Sequence, residues 1–221
     1  MTLFRLDSSI RTEGSVSREV ADTLERAYLD QHPTDTVVRR DLRIDPVPAD
    51  AWPDAALAGF TPEDQRTDAQ RAAVELAARL ADEVAGADAV VVATPLYNFG
   101  VSQHLKTWID MLVTDPRFAP GTSPLAGRPV TLVIARGGGY GEGTPRAGWD
   151  HATGWIVRML ADVWGGDVTV VEAELTLAET VPAMAELRPL AIQVRAAAHE
   201  HAETVGRDMA RSVAEALTRV A

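Results

Sequence analysis

The chain has no cysteine in its 221 residues. That absence removes disulfides, thiolate metal sites and a cysteine nucleophile together. Any redox chemistry here must therefore be carried by a bound cofactor. Long apolar runs are missing as well. No stretch approaches the roughly 18 residues that span a bilayer, so no membrane partner is expected. The start, Met1-Thr2-Leu3-Phe4-Arg5-Leu6-Asp7, lacks the basic segment and long apolar core of a secretory signal. A cytoplasmic protein is the resulting expectation. Positive charge is also scarce: 21 Lys and Arg stand against 32 Asp and Glu, a net −11. Phosphate backbones reward clustered cations, so nucleic acid and anionic membrane are not expected partners either.

What is present is ordinary for a folded domain: 46% hydrophobic and 24% charged residues. Two segments read as ordered loops. Asp45 to Pro53 holds three prolines, and Thr114 to Pro129 holds Pro116, Pro120, Gly121, Pro124 and Gly127. Neither separates halves of different composition, so residues 1–221 read as one domain, with 178–221 a C-terminal helical extension.

Short apolar runs alternate with helical patterns. Strands are expected at 2–7, 36–42, 88–94, 130–135 and 168–173. Helices are expected at 17–28, 101–113 and 148–164, and after Thr61-Pro62-Glu63-Asp64. There Thr61 reads as N-cap and Pro62 as first helical residue, with Ala73, Leu76, Ala77, Leu80 and Val84 on one face. The tail repeats apolar residues at Val194, Ala198, Val205, Met209, Val213 and Val220. Asp88-Ala89-Val90-Val91-Val92-Ala93-Thr94 is continuously apolar, as a strand covered on both faces must be. The βα alternation predicts a doubly wound α/β fold with helices on both faces of a parallel sheet. Five strands suit the flavodoxin-like order 2-1-3-4-5, whose ligands bind at the carboxyl ends of the strands. The loops after Asp7, Thr94 and Ala135 are therefore the places to look.

The first loop, Asp7 to Arg18, brings Ser9, Ser15 and Ser17 to a helix start, with Arg11 and Arg18 beside them. Unpaired helix amides, hydroxyls and guanidinium groups form a set fit for a phosphate monoester. A serine that merely caps the helix is the plainer reading of any one of them. The second loop, Thr94-Pro95-Leu96-Tyr97-Asn98-Phe99-Gly100, places two aromatics around an amide. They suit the flanks and edge of a flat ring, or equally a turn with core aromatics. The third, Arg136-Gly137-Gly138-Gly139-Tyr140-Gly141-Glu142-Gly143, lets backbone approach a planar ligand, or is a flexible loop. No register of it matches the dinucleotide fingerprint G-x-G-x-x-G.

Taken together, Ser9-x-Arg11-x-x-x-Ser15-x-Ser17-Arg18, Pro95-Leu96-Tyr97-Asn98-Phe99, Leu105-Lys106-x-Trp108-Ile109-Asp110 and Arg136-Gly137-Gly138-x-Tyr140 resemble the FMN-dependent NADH azoreductases. These are also called FMN-dependent NADH:quinone oxidoreductases. The resemblance runs from Leu3 to about Leu177. It implies that Ser9, Arg11, Ser15, Val16 and Ser17 hold the FMN phosphate. It implies that Pro95, Leu96, Tyr97, Asn98 and Phe99 run along the isoalloxazine, with Arg136, Gly137, Gly138 and Tyr140 near its pyrimidine side. It further implies a homodimer in which the neighbouring subunit completes each site. The activity implied is two-electron, ping-pong transfer from NADH, or NADPH, through FMN to quinones, with reductive cleavage of azo compounds. No side chain is assigned the chemistry itself; Asn98 and Tyr140 are supporting candidates. Two positions depart from the family pattern. Ala135 stands where serine is common, and Ser102 where proline often begins the next helix, implying a less rigid helix start. Two rival readings are a flavodoxin-like single-electron carrier and a flavin reductase recruited to a biosynthetic reduction.

Other signals carry less. His199-Glu200-His201 lacks metal-binding spacing and reads as a solvated helix face. No metal site is expected. G-x-S-x-G and G-x-x-x-x-G-K-[ST] are both absent from the sequence. The five tryptophans read mostly as core or interface, Trp108 as packing.

Overall fold

The computed structural model describes residues 1–220. Its centre is the continuously apolar segment, which forms strand β3 (Ala89–Pro95), buried at all seven positions. Strands β1 (Thr2–Asp7), β2 (Thr36–Asp41), β4 (Pro129–Ala135) and β5 (Asp167–Ala173) complete a sheet of order β2-β1-β3-β4-β5. All neighbours pair in parallel, for instance Leu6 with Val92 and Val92 with Leu132. The expected order 2-1-3-4-5 is the one observed.

Period-two alternation splits the strands between two cores. Leu3, Val91, Ala93, Val133 and Val171 face one side, against α1 (Val16–Gln31) and α6 (Arg188–Val220). Phe4, Leu6, Val90, Val92, Leu132 and Ile134 face the other. There they meet α3 (Asp68–Ala85), α4 (Gln103–Thr114) and α5 (Thr153–Val157), the last continued by a wider π-type turn over Arg158–Val163. Trp108 stacks on Phe4, and Trp164 packs edge-on to both Trp108 and Phe118. Trp52 and Trp149, by contrast, are exposed and lie outside the core. α6 lies so close to α1 that a Cβ on Gly206 would overlap the carbonyl oxygen of Leu24. Ala198, Ala202, Met209 and Val213 of the tail are buried there. The side chain of Val220, last in the expected repeat, falls outside the described residues.

Three local expectations are corrected. The helix expected to start at Thr61 starts instead at Asp68. Thr67 and Gln70 form a reciprocal capping box there, which satisfies two orphan amides, whereas Thr61-Pro62 leads only a short 3-10 turn, Glu63–Gln65. The proline-rich segment 45–53 ends in a helix, α2 (Ala51–Ala58). Pro53 is tolerated there because first-turn amides lack intrahelical partners anyway. The helix expected from Gly148 begins at Thr153. Gly148 is left-handed at φ +78, and Asp150 accepts from the Ala152 and Thr153 amides. His199 also leaves the solvated face expected of it and shares a 2.8 Å hydrogen bond with Thr23 of α1. Among the described residues no helix is long and apolar enough to cross a membrane.

Candidate active site

The loops after β1, β3 and β4 converge, as expected, on one cleft at the carboxyl ends of the strands. Ser9, Arg11, Ser15, Val16, Ser17, Pro95, Leu96, Tyr97 and Gly137 all line it. These are nine of the fourteen residues singled out from the sequence.

At the serine end, Gly14 turns the chain at φ +63 into α1. Ser15 occupies the N-cap position, yet its hydroxyl makes no cap hydrogen bond. The capping reading therefore fails for Ser15, whose oxygen lies 3.3 Å from that of Ser17. The first intrahelical bond is Glu19 N–H to the Ser15 carbonyl, so the amides before it are free to meet a ligand. Hydroxyls at Ser9, Ser15 and Ser17, all buried, stand beside them. This donor set fits a phosphate.

The charges divide unexpectedly. Arg18, expected to shelter an anion, turns inward and donates to both oxygens of Asp41 at 2.6 and 2.8 Å. It also donates to the carbonyls of Ser9 and Arg11, fastening the loop. Burial pushes the Asp41 carboxyl up, but the Arg18 hydrogen bonds and charge, together with the Arg43 and Ile44 amides, outweigh it and hold it below the ordinary range. Beneath lies Arg5, buried against Asp7 and Glu25. Burial raises Asp7, with Arg5 and Arg18 opposing. Arg11 alone of these loop cations stays exposed and without an ion pair among the described residues.

At the ring end, Leu96 N–H donates to the Ala135 carbonyl at 2.8 Å, tying β3's loop to β4. Tyr97 and Gly100 close a tight turn through reciprocal backbone bonds, with Asn98 at φ 48 and Phe99 at φ 65. Asn tolerates this left-handed region; Phe does so at a cost of roughly 1–2 kcal/mol. The Tyr97 hydroxyl accepts from Ile10 N–H, which joins the first loop to the second. Asn98 faces an adjoining shelf along the start of α4.

Ser102, where a less rigid start was expected, pins that helix. Its hydroxyl accepts from Leu105 N–H and donates to Ser8, which donates to Thr94 at 2.7 Å. A buried hydroxyl chain thus replaces ring stiffness.

Arg136 is not a free charge either. Its guanidinium is enclosed by Asp150 at 2.8 Å, Glu172 at 2.6 Å and Glu174 at 3.1 Å. Burial pushes Asp150 up, but hydrogen bonds from Thr153 and the charge of Arg136 hold it low. Glu174 also accepts from Tyr140 N–H, so Arg136 organises the glycine loop rather than lining the cleft. Gly138, Phe99 and Tyr140 do not line it; Phe99 lies in an aromatic group with Tyr140 and Trp149 at the rim.

The sequence reading missed Gly14, Thr176, Leu177 and Trp149. Thr176 and Leu177 follow β5 and reach the cleft because their amides pair with the carbonyls of Arg136 and Gly137. Leu177 covers Gly137 so closely that a Cβ there would meet it at 2.7 Å. Nothing in their residue types advertised this. Thr176 brings a hydroxyl residue to the wall that holds Ala135.

A doubly wound parallel sheet of this strand order, with a donor-lined cleft at its strand ends, defines the flavodoxin-like class of binding folds. The chain belongs to the family with the flavodoxin-like fold, whose model matches residues 1–211. An FMN-dependent NADH:quinone oxidoreductase of Streptomyces avermitilis is 39% identical over 211 residues, covering 95% of this chain and 97% of that protein. One from Kineococcus radiotolerans is 37% identical, covering 96% and 99%. Among solved structures, azoreductase AzrA is 26% identical with a TM-score of 0.75, covering 94% and 100%.

Proposed function

We propose that this protein is an FMN-dependent oxidoreductase that passes two electrons from NADH or NADPH to quinones and reductively cleaves azo compounds. The observation that carries this is the serine end: three buried serine hydroxyls, none of them capping the helix, and unpaired helix amides beside one cleft. Relatives covering nearly the whole chain, named FMN-dependent NADH:quinone oxidoreductases, support it.

When bound, FMN supplies the centre that takes a hydride from the nicotinamide and yields it to the acceptor. The chain's residues bind and orient. Ser9, Ser15, Val16, Ser17 and Arg11 would hold the phosphate, with Arg18 and Asp41 fixing the loop that carries them. Pro95, Leu96 and Tyr97, which line the cleft, with Asn98 and Phe99 at its rim, would present backbone to the ring. Gly137 and Gly138, held by Arg136 and Glu174, would do the same, with Tyr140 beside them. The Asn98, Phe99, Gly137 and Gly138 amides, unlike those of Leu96 and Tyr97, are not taken by carbonyls of the chain and would stabilise negative charge on a bound ring. No side chain needs to move a proton. A single cleft serves donor and acceptor in turn, which gives ping-pong kinetics. Reducing an N=N bond to two amines takes four electrons, hence two NADH.

We also infer a homodimer whose neighbouring subunit completes each active site while leaving the aromatic rim open to the acceptor, one folding unit over 1–221, and residence in the cytoplasm. Steady-state NADH oxidation with added FMN, against quinones, azo dyes and nitroaromatics, tests the reading. Parallel double-reciprocal lines with quinones are expected. A protein that binds no FMN, or that only stabilises a one-electron form without turning over NADH, contradicts it.

A further inference from the structure

Five cations sit on or just after the three loops of the cleft. Arg18 is neutralised by Asp41, Arg136 by three carboxylates, and Lys106 by Asp110 at 2.6 Å. Arg11 and Arg146 have no ion pair among the described residues. They stand at opposite ends. Arg11 serves the serine end, already furnished for a phosphate. Arg146 lies at the ring end, its guanidinium 5.8 Å from the centre of the Phe99 ring.

The segment that carries Arg146 is held in place from both sides. Asp150 grips Arg136, and His151 N–H donates to the Phe99 carbonyl at 2.9 Å. The segment therefore crosses from the glycine loop to the aromatic loop. Trp149 packs edge-on to Phe99 at 5.3 Å. Both rings remain partly exposed, at 51% and 37%. Gly138 leaves room for Arg146: a Cβ there would stand 3.3 Å from Nη1. The guanidinium carbon thus sits over an aromatic ring, and no ion pair takes its N–H groups, which leaves them for a bidentate acceptor. On a chain of net charge −11 an anion is repelled everywhere except at such a local cation.

We propose that Arg146, with Phe99 and Trp149, forms an acceptor subsite selective for flat aromatic acceptors bearing a carboxylate or sulfonate. The aromatic pair takes the ring system and the guanidinium takes the anionic substituent. The cofactor phosphate is excluded as its ligand, because that group has its own donors at the far end of the cleft. Arg146 is a specificity residue and not part of the electron chemistry. The inference rests on the oxidoreductase reading.

The test compares 1,4-naphthoquinone with 1,4-naphthoquinone-2-sulfonate in the FMN-loaded protein. Arg146→Gln is expected to lower the ratio of kcat/KM, sulfonate over neutral quinone, about fivefold. The loss should fall on the KM for the sulfonate. Arg146→Glu lowers the ratio further, and Arg146→Lys, which keeps the charge but loses the planar fork, keeps only part of it. In the unmodified protein the ratio falls as salt rises. Arg146 is exposed, so these variants should fold, and flavin content checks that they do. An unchanged ratio in Arg146→Glu overturns the subsite. So does a rise confined to the KM for NADH, which would assign the guanidinium to the donor. If the unmodified protein oxidises NADH with neither quinone, the oxidoreductase reading falls and the subsite with it.

Discussion

At the serine end of the cleft every donor comes from one short stretch, Ser9 to Ser17, at the start of one helix. At the ring end the walls come from the loops after β3, β4 and β5, and from the segment ending at His151. Each end rests on an arginine that never reaches the ligand: Arg18 clasped by Asp41, and Arg136 enclosed by Asp150, Glu172 and Glu174. Each end also exposes one arginine left free, Arg11 and Arg146. The contrast separates two uses of positive charge. In an acidic chain, buried guanidinium groups organise loops, and exposed ones meet anions.

The comparison can be broken most severely from below. Gly206→Val would force α6 off the Leu24 carbonyl and disturb α1 beneath the serine end. Denaturant unfolding should show a loss of about 3 kcal/mol, with FMN affinity falling in parallel. Next, Arg136→Met leaves three carboxylates facing one another, so unfolding should register a loss of about 2–3 kcal/mol. The ring end should suffer alone. Inorganic phosphate should protect the variant against melting as well as it protects the unmodified protein.

Smaller changes sharpen the contrast. Ser102→Ala removes a cap and leaves Ser8 without one partner, an expected cost of about 1 kcal/mol in thermal or denaturant unfolding. Ser15→Ala removes no cap bond, so stability should hold while FMN affinity falls about fivefold, read by flavin fluorescence quenching.

The smallest effect is the pH dependence. Asp41 and Asp150, one under each end, have folded values below the ordinary 3.8. The folded state therefore binds their protons less tightly than the unfolded state. Their contribution is present above about pH 4 and is lost as pH falls through the lowered values. Asp7, raised by burial, runs the other way, losing its contribution as pH rises through its raised value. Asp41→Asn and Asp150→Asn should each flatten the acid limb of melting temperature against pH.

Much of this architecture was legible because it is written in local chemistry. The alternation of apolar runs is the sheet, and Ser9, Ser15 and Ser17 lie where a βα turn brings them together. Arg18 and Arg136 misled because a residue type reveals a charge but not its partner. Asp41 ends β2, beyond the helix that carries Arg18, and Glu172 and Glu174 lie far along the chain. Thr176 and Leu177 carried no signature at all. They reach the cleft through backbone pairing beyond β5, a long-range event. The Thr61 helix start failed for a different reason: a second capping signal at Thr67 and Gln70, six residues on, was stronger.

The central claim is that the serine end binds the phosphate of FMN. Riboflavin differs from FMN only in lacking that phosphate, so titrating the protein with each tests it directly. Two or more charge-assisted hydrogen bonds predict FMN binding about a hundredfold tighter than riboflavin, with Ser15→Ala narrowing the gap. Equal affinities, or a gap untouched by Ser15→Ala, would contradict it.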